Sequence, residues 1–197
     1  MTRRRRRNAG HSRSRFPLHF PFGGRLSDNL LQRSAGFVLL REIESVRASV
    51  ETYPDDASLW KPMPGISNVG GTLVLHIAGN LRHFLGNVLG GVPFARDREA
   101  EFSNRTATKA ELLTLMSETR DAIAATIPKL SNELLTKPFP IQIAGRTVST
   151  ADFVVHLASH LAYHLGQLDY HRRFVTGKSV VVPAVDVGKI PGFELEA

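Results

Sequence analysis

The sequence predicts an all-α protein built as a four-helix bundle. Three observations carry this. Four segments of about 20 residues repeat their apolar side chains with the helical period of 3.6. Clusters of proline and glycine separate them. No alternating run is long enough to give a regular sheet. The chain has 197 residues, 42% of them hydrophobic, which suits one domain with a full core.

The first helix is expected from a cap at Ser27 or Asp28 to about Thr52, with Leu31, Ala35, Val38, Leu39, Ile43, Val46 and Val50 on its apolar face. Tyr53-Pro54-Asp55-Asp56 ends it, and a loop with Pro62, Pro64 and Gly65 follows. Ser67 or Asn68 is the expected cap of the second helix, which keeps its period through Leu73, Ile77, Leu81, Phe84 and Val88 and stops at Gly90-Gly91-Val92-Pro93. The charge-dense run FARDREAEFSNR reads as a surface connection held down by Phe94 and Phe102. Thr108 and Glu111 form a capping box for the third helix, which runs through Leu112, Leu115, Met116, Thr119, Ile123 and Ile127 to Pro128. Residues 138–149 alternate around Ala144-Gly145-Arg146 and predict a small hairpin or extended crossover. Ser149 or Thr150 caps the fourth helix, Asp152 suits its first-turn dipole, and Gly177 ends it. The expected layout is a disordered Arg-rich leader over 1–26, the bundle over 27–177 and a tail over 178–197.

The net charge of +7 belongs to the leader. Residues 1–25 hold eight of the 25 basic residues and no acid, so the remaining 17 face 18 acidic ones, a net of −1. Nucleic-acid binding is therefore expected of the leader only. Pro17, Pro21, Gly23 and Gly24 break the apolar region that an export signal needs after its arginines. No stretch is apolar enough to span a membrane. The chain has no cysteine. That excludes disulfides, thiolate ligands and a cysteine nucleophile, and it fits a cytoplasmic setting.

The chemistry-bearing stretch is DFVVHLASHLAYHLGQLDYHRR, from Asp152 to Arg173. His156, His160 and His164 recur every fourth residue and share one face. Leu157, Leu161, Leu165 and Leu168 form an apolar stripe one position round. Two imidazoles one turn apart can reach a single metal ion. On the second helix His76, Asn80, His83 and Asn87 form a polar stripe without fixed charge, which fits a wet internal pocket. Leu157 and Leu161 stand where an HExxH protease needs its glutamate. The two histidine helices also lack the glutamates of a di-iron bundle on their polar stripes. What remains is a mononuclear site of neutral nitrogen ligands with open positions.

HLASHLAYHLGQLDYHRR resembles the last-helix signature of the DinB-like (YfiT-like) superfamily, through His160, His164, Gly166 and Gln167. GTLVLHIAGNLRHFLG resembles that superfamily's second helix, with His76 as its histidine, and RDREAEF resembles a connection in one uncharacterised subgroup. The resemblance covers residues 28–176. It implies an up-down-down-up bundle, often a homodimer, with one divalent metal ion, zinc or nickel, on His76, His160 and His164. His156 is extra to that triad and leaves room for a shifted or four-nitrogen site.

Two functions follow. The first is a metal-dependent S-transferase, using a low-molecular-weight thiol cosubstrate on a small-molecule substrate, or a hydrolase with the same ligands. Gln167 would orient a ligand or water from behind the metal, and Asn80 and Tyr163 would line the pocket. The second is a non-catalytic structural or sensing metal site in an interaction module.

Overall fold

The computed structural model describes residues 29–179 and 190, all but one of them in a continuous stretch. The leader and nearly all of the tail expected from sequence lie outside the described residues. Within them the protein is all-α. Four long helices, α1 (Leu30–Glu51), α3 (Gly70–Leu81, continued by a π-helical stretch Arg82–Leu89), α5 (Lys109–Thr126) and α7 (Thr150–Thr176), are joined by three short ones, α2 (Asp56–Leu59), α4 (Arg98–Ser103) and α6 (Asn132–Thr136). No helix among the described residues is long and apolar enough to cross a membrane.

The long helices share one core. Leu39, Ile43, Val46 and Val50 of α1 meet Leu73, Ile77 and Leu81 of α3, Leu112, Met116 and Ile123 of α5, and the leucine stripe of α7. All four α7 leucines are buried, so the next position round the helix faces its rim, where the histidines stand.

Contacts between helix ends fix their directions. Lys109 at the start of α5 donates to the carbonyls of Glu51 and Tyr53 at the end of α1. Asn29 and Gln32 at the start of α1 reach the carbonyls of Leu130 and Ile127 past the end of α5. Tyr53 after α1 donates its hydroxyl to His171 Nδ1 near the end of α7, at 2.7 Å. Gly70 opens α3 against those same two rings, which leave no room for a Cβ.

Helix caps depart from expectation where a side chain or a tight contact offers more. Asn29 caps α1, accepting from the Gln32 amide while its own NH2 reaches Leu130. The expected Ser27 and Asp28 lie outside the described residues. The second helix begins later than Ser67 or Asn68 predict, at Gly70 after Val69, with no side-chain cap. Its start is set by packing, because a Cβ on Gly71 would run into the Trp60 ring. The Thr108–Glu111 capping box, the Ser149 cap and left-handed Gly177 match the sequence reading.

Three connections hold more structure, or less, than expected. The charge-dense run is α4, capped by Asp97 with Glu99 and Glu101 in its first turn. Ser131 caps α6, which buries Leu135. Residues 138–149 form no hairpin ladder. They have two isolated bridges, Pro138 to Ser149 and Ile143 to Arg146.

The Tyr53–His171 pair should hold the helix ends together. His171 is fully buried, and its Nε2–H donates to the Lys61 carbonyl at 2.9 Å, so Nδ1 must accept from Tyr53. Tyr53→Phe strands that buried acceptor and is expected to cost about 1–3 kcal/mol, measured as a lower urea midpoint with unchanged slope. An unchanged midpoint would show that the bond contributes nothing.

Candidate metal centre

α3 and α7 bring three histidines to one point. His160 and His164 lie one turn apart on α7, and His76 faces them from α3. His160 Nε2 is 3.0 Å from His164 Nε2 and 3.4 Å from His76 Nε2. The three ligand atoms all lie within 4.8 Å of one another. Two nitrogens bound to one tetrahedral zinc ion at about 2.0–2.1 Å would be about 3.3 Å apart. The group can hold a metal ion.

Hydrogen bonds on the far side of two rings decide what these nitrogens carry. His76 Nδ1 faces Glu101 Oε2 at 2.9 Å. Glu101 is buried, and burial alone would raise its pKa. Hydrogen bonds from Arg96 and His76, helped by the Arg96 charge, outweigh burial and hold the carboxyl below its usual range. The carboxylate therefore accepts, and His76 Nδ1–H donates. Likewise His164 Nδ1–H donates to Gln167 Oε1 at 2.7 Å. Both anchored rings, when neutral, turn a bare lone pair on Nε2 toward His160. His160 can donate a single Nε2 proton at most, so at least one lone pair goes unmet.

A proton is a poor answer to that excess. The pKa of His160 is lowered to about 4, first by burial and then by His164, His76, His156 and Arg96. That of His164 is also lowered, chiefly by burial, although Gln167 pulls the other way. Two α7 imidazoles that disfavour protons, in a site that gathers lone pairs, suit a metal cation.

The remaining expected pocket residues are placed variously. Asn80 follows His76 by one turn, is buried, and its Oδ1 has no partner among the described residues. His83, on the same stripe, has an Nδ1 with no partner among the described residues. The stripe does not persist as one face, because the helix widens to π geometry from Arg82 and Asn87 turns to donate to the Val92 carbonyl. Tyr163 is exposed, with its ring 5.3 Å from that of His164. His156 is also exposed. It stacks on Phe153 and stands outside the triad.

Glu101 and Arg96 were not legible as site residues. Arg96 Nε donates to Glu101 Oε1 at 2.6 Å and its Nη2 to Oε2 at 2.9 Å, a bidentate clamp. The signal lies in Gly79, one turn from His76, where a Cβ would collide with the Glu101 carboxylate. Glycine there opens the slot through which α4 reaches α3.

Two outcomes follow. Glu101→Ala removes the group that orients His76 and is expected to weaken metal affinity about 10–100-fold, read by competition against a chelator. Equal affinity would show that the clamp is idle. In metal-free protein, His160 binds its proton only near pH 4, against 6.5 for an ordinary histidine. Between these values the unfolded chain holds more protons, so stability is present above pH 6.5 and falls as the pH drops toward 4. The thermal midpoint of metal-free protein should decline across that window, less steeply in His160→Gln.

The family model described as protein of unknown function (DUF1572) matches residues 30–188. No curated protein and no solved structure gives a match. The match spans all seven helices, from α1 to α7, and the chain belongs to the DUF1572 family of proteins of unknown function.

Proposed function

We propose that this protein is a mononuclear metalloenzyme, an S-transferase with a small thiol cosubstrate or a hydrolase, acting on a small molecule. One observation carries the reading. Three Nε2 atoms converge, two of their rings are locked from behind by Glu101 and Gln167, and His160 and His164 remain partly exposed. A structural metal site is closed by four protein ligands, whereas a catalytic one keeps a position open. The described residues offer three clustered ligands.

A divalent ion held there, zinc or nickel, supplies a Lewis acid that lowers the pKa of a thiol or water brought to it. The chain supplies the rest. His76, His160 and His164 act as neutral ligands. Gln167 and Glu101 fix the ring orientations. Buried Asn80, whose Oδ1 has no partner among the described residues, offers a hydrogen-bond acceptor one turn from His76.

The helix directions support a DinB-like, up-down-down-up bundle. The start of α5 meets the end of α1, the start of α3 meets the ends of α1 and α7, and the ends of α1 and α7 meet each other. A homodimer belongs to the same reading. It is supported by an apolar groove between the first halves of α1 and α7, where Leu31, Val38, Val155 and Ala158 lie and Val155 is 48% exposed. The cytoplasm is the proposed setting, and any nucleic-acid contact is assigned to the leader.

Metal content tests the central claim. Wild-type protein should carry near one metal ion per chain, and folded His76→Ala and His160→Ala variants should each lose it. A cobalt-loaded sample should gain thiolate absorption when a small thiol is added. Absence of metal after reconstitution would sink the metalloenzyme reading. Metal retained without any response to thiol or water exchange would favour the structural or sensing alternative.

A further inference from the structure

α7 contains a glycine that its packing does not require. Gly166 lies in the helix interior, where glycine is the poorest helix former after proline. Other glycines have neighbours that forbid a Cβ, as Trp60 does at Gly71 and Glu101 at Gly79. Among the described residues, a Cβ on Gly166 would meet nothing within 4 Å. Its φ is not positive either. The position is bare over space that no described residue fills.

That space is a groove of about 440 Å³. Tyr163, Gly166, Gln167 and Tyr170 form its α7 side, and Ser67 and Asn68 come from the loop before α3. Tyr163 and Tyr170 stand two turns apart on one face, about 10 Å along the axis, and are 65% and 64% exposed. Among the described residues, no lining residue carries a charge. Gln167 belongs to both sites, since it lines the groove and holds His164 Nδ1.

We propose that this groove binds the substrate, and that the substrate is a small uncharged molecule with a flat aromatic face and an amide-like polar group. The proposal rests on the metal-centre reading and adds to it the class of ligand. The phenol rings offer apolar faces to a flat group lying over Gly166. Ser67, Asn68 and Gln167 offer neutral donors and acceptors. The described lining gives an ionic ligand no counter-charge, since Arg173, beside the Tyr170 ring, is already paired with Asp169. Gln167 Oε1 is taken by His164 Nδ1–H, so its NH2 is the group it offers to the polar end of the ligand.

The test uses the zinc-loaded full chain, titrated with benzamide, benzoate and benzylammonium, which share one ring and differ in charge. Backbone amide shifts are followed by NMR. Benzamide should move residues 65–68 and 163–170, and should bind about tenfold tighter than either ion, the equivalent of about 1.4 kcal/mol. Gly166→Leu should abolish those shifts with fold and zinc content intact, and Gly166→Ala should preserve them. The proposal is overturned by equal binding of the ions, by benzamide shifts elsewhere or none, or by shifts that survive Gly166→Leu. It is also overturned if residues 180–197 or a second copy already fill the groove in the free protein. Zinc content, measured on the same samples, separates failure of the metal centre from failure of the groove.

Discussion

The site depends on lone-pair crowding. Three imidazole nitrogens stand at one point, and hydrogen bonds on the far side of two rings prevent them from turning away. Neutral imidazoles gathered without a shared partner are unfavourable, because each buried acceptor gives up water and receives nothing. The fold tolerates this because α7 is held by other means. Its leucine stripe is buried throughout, and the helix is capped at Ser149 and Gly177. Core packing supplies the stability, and the rim of the same helix carries the strain of the site.

The Arg96–Glu101–His76 chain shows how a carboxylate can be buried with a purpose. Glu101 is only 5% exposed, and a lone ionised carboxylate so placed would shift its pKa upward. The bidentate Arg96 clamp reverses that and keeps the charge. The charge then fixes the proton of His76 on Nδ1. Arg96 is itself oriented over the Phe84 ring, 5.5 Å from its centroid. Gly79 completes the arrangement by giving α4 its close approach. A loop of opposite charges on the surface would need none of these devices.

The four long helices and the histidine-bearing face of α7 were legible because periodicity reports burial directly. Leu157, Leu161, Leu165 and Leu168 could be read as core, and they are. The i, i+4 spacing brought His160 and His164 together, as any straight helix must. Glu101 escaped because its partners are 25 residues away on α3 and 5 residues away across a bend. Local pattern sees neither. FARDREAEFSNR reads as solvated, since charge density usually marks a surface. The stripe from His76 to Asn87 failed as a single face for another reason. The π-helical widening after Leu81 rephases the helix and buries Leu85, and 3.6-residue periodicity has no means of anticipating that.

α7 contains its own control for the meaning of the triad. His171 lies seven residues beyond His164 on the same helix and is also deeply buried. Both of its ring nitrogens are engaged by the protein, one by the Lys61 carbonyl and the other by the Tyr53 hydroxyl. Such a histidine needs nothing more, and it serves to join helix ends. His76 and His164 have one nitrogen engaged in the same way, and the other is directed at a nitrogen of His160. α7 thus satisfies His171 completely and leaves His164 half-satisfied two turns away, facing the half-satisfied His76 of α3. His76 is buried and His160 and His164 are half-buried, so the triad too gives up part of its water, and the degree of burial does not by itself set the two levels apart. The difference lies in where the second nitrogen points, and at the triad it points to a place suited to a cation.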